Sequence, residues 1–328
     1  MRQLLRLPLL SLPLLTAALP SPSTSELTPL PLVIWHGLGD DFTREGLKEI
    51  ASLADAINPG TYVHIIHIGD SASADRQATF IGNVTDQLST VCDQLAAEPI
   101  LSTAPAVNAL GFSQGGQFLR AYVERCNFPP IRNLVTFGSQ HNGISEFQDC
   151  GWADLVCRGA EALLHLGRWS NLAQSQFVPA QYFRDPEDLN TYLENSNFLA
   201  DVNNERILKN VTYKKNLASL NRFAMFMFED DKMVHPKETS WFAEVDMASG
   251  DVTPLRERDI YKEDWLGLKE LDEKGALKFG TLKGEHMQLA EDDLVTVFKE
   301  YFGPVEVDLP PAETQPEVLV NQEDLQGI

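Results

Sequence analysis

The sequence predicts an α/β fold: a central, mostly parallel sheet flanked by helices, with an inserted helical cap. Three observations carry this. Short apolar runs alternate with helical periods through the first half of the chain, the rhythm of repeated βα units. One such run enters a Gly-x-Ser-x-Gly turn and leaves it as an amphipathic segment, Gly111 to Cys126. From about 142 to 221 the alternation gives way to a stretch richer in helix signals and in Asn, Gln and aromatic residues.

Each element follows in order. Residues 1–18 read as a secretory signal: Arg2 and Arg6, an apolar Leu7–Leu15, then Thr16-Ala17-Ala18 for cleavage. Residues 19–29 are Pro- and Ser-rich and predict a flexible leader. Leu32-Val33-Ile34-Trp35 is a strand running into the loop His36-Gly37-Leu38-Gly39. Residues 44–57 place Leu47, Ile50, Leu53, Ala54 and Ile57 at helical spacing, and Asn58-Pro59-Gly60 stops the helix. A second strand is predicted over 62–68 and one long helix over 75–97. Ala106–Phe112, Leu134–Phe137 and Phe223–Phe228 are further strands, and Ala276–Leu282 is strand-like. Gly115–Cys126 is a helix. In the insertion, Asp154–Leu166 predicts a helix, and Asp185-Pro186 predicts another with Asp as N-cap. A last helix spans 291–302, which closes a main domain of 30–303. Residues 304–328 carry six acidic residues and no Lys or Arg, and predict a disordered tail.

Composition bounds the function. Asp and Glu number 47 against 26 Lys and Arg, a net charge of -21, which repels a nucleic-acid backbone. No stretch is long and apolar enough to span a bilayer, the leader's run included. Four cysteines, Cys92, Cys126, Cys150 and Cys157, behind a signal peptide read as two disulfides with three possible pairings. Cys150 and Cys157 would close a small loop, leaving Cys92 with Cys126 to join two helices. Asn83-Val84-Thr85 and Asn210-Val211-Thr212 are glycan acceptor triplets. Asn83 falls inside a predicted helix, and Asn210 in a polar stretch is the better acceptor.

The chemistry centres on Gly111-Phe112-Ser113-Gln114-Gly115. Between a strand and a helix, this pattern makes a sharp turn that thrusts the serine hydroxyl out at the carboxyl edge of the sheet. Glycines flank it because a side chain there would meet a neighbouring strand or helix. A serine hydroxyl needs a base, and the base an orienting carboxylate, in the order Ser, acid, His for an α/β-hydrolase. His286, in the loop Gly284-Glu285-His286-Met287 before the last helix, stands where the base belongs. His235, before Pro236, reads as structural. Glu229, Asp230 and Asp231 follow the strand 223–228, and position alone does not choose among them. The oxyanion donors fall on the backbone N–H groups of Leu38 and Gln114. His36 precedes the nucleophile and reads as a packing or hydrogen-bonding residue. His64 and His67 point to opposite strand faces, a poor metal site, and no cofactor motif is present.

Several blocks resemble the lysosomal palmitoyl-protein thioesterase family over about 31–303. They are PLVIWHGLG (31–39), ALGFSQGGQFLR (109–120), FLADVN (198–203), YKKNL (213–217), LGLKE (266–270) and Gly284-Glu285-His286. The resemblance implies Ser113 as nucleophile, His286 as base and Asp231 as acid, and the disulfides Cys92–Cys126 and Cys150–Cys157. Asp40, Asp41 and Phe42 stand where some members carry an extra cysteine pair. The implied reaction is hydrolysis of long-chain fatty acyl, palmitoyl, thioesters on S-acylated proteins or peptides through an acyl-serine. The implied location is a lysosome or vacuole, with secretion the other outcome. The helical insertion is the expected seat of the acyl groove. Competing readings are a lipase or carboxylesterase acting on oxygen esters, and a non-catalytic acyl-chain-binding protein of the same fold.

Overall fold

The computed structural model describes residues 25–146 and 167–308. The strands there are β1 (Ser25–Thr28), β2 (Leu32–Trp35), β3 (Val63–Ile65), β4 (Val107–Phe112), β5 (Ile131–Phe137), β6 (Arg222–Phe228), β7 (Glu244–Val245), β8 (Val252–Thr253), β9 (Leu277–Leu282) and β10 (Val305–Asp308). The helices of the first half are α1 (Glu45–Ile57), α2 (Ala72–Ala78), α3 (Val84–Ala97), α4 (Pro99–Thr103) and α5 (Gln114–Arg125).

Six strands form one parallel sheet in the order β3-β2-β4-β5-β6-β9. This is the α/β-hydrolase arrangement that the sequence predicts. β2 and β4 are buried along their whole length. Strands covered on both faces need no polar alternation, so they read in sequence as continuous apolar runs. Val33, Trp35, Leu134 and Phe223 pack on one face with α3 and α5. Ile34, Leu110, Val135 and Phe137 pack on the other with α1 and the last helix, Glu291–Tyr301. The disulfide Cys92–Cys126 joins α3 to the C-terminal end of α5. Cys150, Cys157 and the helix predicted for 154–166 lie outside the described residues, as do the signal segment and the tail beyond 308.

Several local expectations change. The single helix predicted over 75–97 is two helices, α2 and α3. Asn83 is not within a helix but caps α3, its Oδ1 accepting the N–H groups of Thr85 and Asp86. Helical spacing runs through the break, but an Asn cap behind Gly82 at φ +135° restarts the chain. The strand predicted over 62–68 ends at Ile65, because the N–H groups of Ile68 and Gly69 turn to the Asp75 carboxylate. His67 therefore lies beyond the strand.

The helix expected at Asp185-Pro186 starts at Leu189 with Asp188 as cap, while Asp185 accepts the N–H groups of Glu187 and Asp188 in a turn. The end of the predicted leader and the start of the predicted tail are β1 and β10, which pair with each other as a separate two-stranded sheet.

The described part of the insertion between β5 and β6 is a run of short helices, among them Val178–Gln181, Leu199–Val202 and Val211–Ala218. Among the described residues no helix is long and apolar enough to cross a membrane. None of their His, Cys, Asp and Glu side chains group in threes or more around a possible metal position.

Candidate active site

Ser113 sits between β4 and α5 at φ 52° and ψ −126°, a conformation that L-residues rarely hold. Such strain costs on the order of 1–3 kcal/mol and persists only where the surroundings enforce it. Here they do. A Cβ at Gly111 would overlap the Gly116 backbone, and one at Gly115 would overlap the carbonyl oxygens of Trp35 and His36. The glycines thus let α5 start directly against β2 and β4. The Ser113 N–H donates to the Phe137 carbonyl at 2.8 Å, tying the turn to the end of β5.

Two loops bring partners to the hydroxyl. His286 Nε2 lies 3.1 Å from Ser113 Oγ, and its Nδ1 lies 2.7 Å from Asp231 Oδ2. Of the three acids left open by position, Asp231 is the one that reaches the imidazole. Its other oxygen accepts the N–H groups of Met233 at 2.9 Å and Val234 at 3.0 Å, so the buried carboxylate is fixed in direction. The two loops are also pinned together. Glu229 N–H donates to the Leu282 carbonyl and Asp230 N–H to the Gly284 carbonyl, continuing the β6–β9 ladder to the site. Gly138 adds a constraint that the motifs do not reveal. At φ +54° it packs against the His286 ring, and a Cβ there would come 3.1 Å from the ring.

Leu38, expected as an oxyanion donor, lines the cavity at Ser113, and Gln114, expected as the other, opens α5. Gln114 is the first residue of α5, so its N–H has no acceptor within the helix. Its side chain is buried, and its Oε1 accepts the Tyr182 hydroxyl at 3.2 Å. Gly37 approaches Ser113 so closely that a Cβ on it would lie 3.1 Å from Ser113 Cβ. His36 is buried behind this loop on Asp75, at 2.8 Å. His235 stands 3.8 Å from Glu146, away from the nucleophile's hydrogen bonds.

A cavity of about 520 Å³ opens on Ser113 and His286. Its apolar walls come from α1 (Leu47, Ile50), the segment after Asp231 (Met233, Val234) and the segment after His286 (Met287, Leu289). Of its described lining, only Ile144 and Tyr182 belong to the insertion, so the groove expected there is shared mostly among the core loops and α1. Sequence periodicity marks Leu47 and Ile50 as helix positions but does not say that they face a cavity.

Beneath the site, a buried polar network links two of the sequence blocks. Arg120 donates to Glu124 at 2.7 Å, to Asn203 Oδ1 at 2.8 Å and to the His141 carbonyl at 3.2 Å. His141 Nε2 meets Thr136 Oγ1 at 3.0 Å, and burial with the nearby Arg120 charge keeps this imidazole well below its ordinary pKa. Burial pushes the Glu124 carboxyl up, against the opposing pull of Arg120. The helix of the nucleophile, the loop after β5 and the FLADVN block are thereby one fixed frame.

A parallel sheet of this order, with a hydrogen-bonded Ser–His–Asp chain at its carboxyl edge, defines a serine hydrolase of the α/β-hydrolase fold. Residues 31–286 match the family model of palmitoyl protein thioesterases. The chain belongs to that family and is a hydrolase of that kind. It is 38% identical to palmitoyl-protein thioesterase 1 of Caenorhabditis elegans over 276 residues, 83% of this chain and 92% of that one. It is 34% identical to palmitoyl-protein thioesterase 3 of Dictyostelium discoideum over 275 residues, 83% and 89% of the two chains. With the human lysosomal thioesterase PPT2 it shares 27% identity over 269 residues, 81% and 84%. A solved lipase-esterase related protein of Clostridium acetobutylicum aligns with a TM-score of 0.41 at 12% identity, over 83% of this chain and 93% of that one.

Proposed function

We propose that this chain cleaves long-chain fatty acyl, palmitoyl, thioesters from cysteines of S-acylated proteins or peptides, with Ser113, His286 and Asp231 as its catalytic triad. Ser113 Oγ attacks the thioester carbonyl carbon while His286 Nε2 takes the hydroxyl proton. Asp231 holds the imidazole by Nδ1 and stabilises the imidazolium. The tetrahedral oxyanion is received by the N–H groups of Leu38 and Gln114. The C–S bond breaks and the cysteine sulfur leaves. Because a thiol's ordinary pKa is ~8.5, the thiolate needs little help from an acid to depart. The imidazolium proton passes to the departing sulfur or to solvent, so that neutral His286 can deprotonate the water that splits the acyl-serine; His286 then returns that proton to Ser113 Oγ as the fatty acid leaves.

The observation that carries this reading is the apolar cavity opening on Ser113. Its volume falls in the ordinary range of ligand sites, and each buried CH₂ of a chain contributes ~0.8 kcal/mol. The family membership favours a thioester over an oxygen ester.

The same reading places the protein in the secretory pathway, in a lysosome or vacuole or outside the cell, with residues 1–18 as its signal. A disulfide between Cys92 and Cys126 fits an oxidising compartment. Asn210 is exposed at the start of the helix Val211–Ala218, which favours it as the glycan acceptor over the half-buried Asn83.

The test is hydrolysis of a palmitoyl thioester and an oxygen ester of equal chain length by the wild type and Ser113→Ala. Thioester turnover that falls by about 10⁶-fold in the variant supports the reading. Turnover that survives overturns the triad. Preference for the oxygen ester overturns the substrate class.

A further inference from the structure

A second histidine–aspartate pair lies behind the oxyanion loop. The Asp75 carboxylate accepts four donors: His36 Nε2 at 2.8 Å and Phe42 N–H at 2.9 Å on one oxygen, Ile68 N–H at 2.7 Å and Gly69 N–H at 3.3 Å on the other. It therefore clamps both ends of the segment 36–42 to the turn after β3. Gly69 is required there, since a Cβ on it would overlap the backbone at Ala74 and Asp75. Thr79 Oγ1 accepts the Gly39 N–H at 2.9 Å and fixes the middle of the segment.

His36 reaches forward as well as back. Its Nδ1 lies 3.2 Å from the carbonyl oxygen of Gly37. A carbonyl and a carboxylate only accept, and the Asp75 hydrogen bond and charge hold the His36 pKa above its ordinary value against burial, which favours a ring that donates from both nitrogens. The Gly37 carbonyl belongs to the same planar trans peptide as the Leu38 N–H, and the two point in opposite directions. Whatever holds the carbonyl back towards His36 aims the N–H forward. A donor on the carbonyl also polarises that peptide, and so strengthens its N–H as a donor.

We propose that His36 and Asp75 are positioning residues for the oxyanion hole: Asp75 fixes His36, and His36 grips the Gly37 carbonyl and thereby aims the Leu38 N–H at the reacting oxygen. The proposal rests on the reading of Leu38 as an oxyanion donor. Neither side chain touches substrate; both act through one peptide unit. Losing an oxyanion donor costs roughly 10²–10³-fold in kcat, and a donor misaimed rather than lost costs less.

Asp75→Asn and His36→Gln are the test variants. Steady-state kinetics on a palmitoyl thioester would be combined with binding of two probes. A palmitoyl trifluoromethyl ketone forms a tetrahedral adduct on the serine. A palmitoyl thioether of the same length fills the groove without reacting. The expected result is kcat lowered about 10–100-fold with KM within a few-fold, ketone affinity lowered by the same factor, and thioether affinity unchanged. Equal weakening of both probes would mean a merely structural role and overturn the proposal, as would unchanged kcat. If one variant fails to fold, the other carries the test. Leu38→Pro, which deletes the donor itself, separates the two readings. If it leaves kcat intact, the oxyanion reading falls and this proposal with it. If it lowers kcat while both Asp75→Asn and His36→Gln do not, this proposal alone falls.

Discussion

Two histidine–aspartate pairs flank the nucleophile, and they are built alike. In each, a buried aspartate is locked by backbone N–H groups and holds one nitrogen of the ring at 2.7–2.8 Å. What differs is the partner of the second nitrogen. His286 faces the Ser113 hydroxyl, which can donate a proton to it. His36 faces the Gly37 carbonyl, which cannot. The first arrangement lets the imidazole take the hydroxyl proton and act as a base. The second asks both nitrogens to donate and makes the ring a strut. The role of a histidine here is decided by the atom on its far side rather than by the aspartate behind it.

The largest effect that separates the pairs is on turnover. Asp231→Asn should lower kcat roughly 10⁴-fold, because the imidazole loses its orienting acceptor and its counter-charge. Asp75→Asn should cost one to two orders of magnitude at most. Steady-state kinetics on the folded variants would check this, and equal losses would erase the distinction.

The next effect is on stability. Burial lowers the His36 pKa, but the hydrogen bond and charge of Asp75 outweigh it, so the folded value is raised above the ordinary one. The folded state thus binds this proton more tightly than the unfolded chain. Its contribution is complete below the unfolded value of ~6.5 and is lost as pH rises through the folded value. The stability gap between wild type and His36→Gln, measured by chemical denaturation, should therefore shrink as pH rises. A gap that widens would mean that His36 is neutral and that the strut is drawn wrongly.

The smallest effect belongs to the outer edge of the same loop. The Thr43 hydroxyl bonds Asp41, with Arg76 at 2.6 Å as a second partner, and together they hold its carboxyl at about 2 against the effect of burial. A depressed acid contributes above its unfolded pKa of ~3.9 and loses that contribution as pH falls towards the folded value. The gap between wild type and Asp41→Asn should be level above about pH 4 and close between there and pH 2. Acid titrations of both proteins would check it.

Much of this was legible in the residues, and the parts that were not have physical reasons. The strand, turn and helix around Ser113 are local and carry their own glycines, so they read directly. The position of His286 followed from its loop before the last helix. Position left Glu229, Asp230 and Asp231 open and only the family resemblance pointed to Asp231, since the choice depends on which carboxylate the N–H groups of Met233 and Val234 turn inward. Asp75 looked like an ordinary helix residue, because its donors come from segments that meet only in the folded chain. The cavity walls were illegible for the same reason. Leu47 and Val234 are apolar residues far apart in sequence whose shared face exists only after packing. Helical spacing ran past the Asn83 cap, and the Asp185-Pro186 signal marks a turn just ahead of the true cap, Asp188.

The sheet also decides how the site comes apart. The nucleophile hangs on β4, a strand with neighbours on both sides, whereas the base hangs on β9, which has a neighbour on one side only. Border strands open at lower free energy than interior ones. Opening at the β9 border would carry the imidazole away while the serine stays seated on β4. The enzyme then sleeps before it melts, and it wakes when the border closes again.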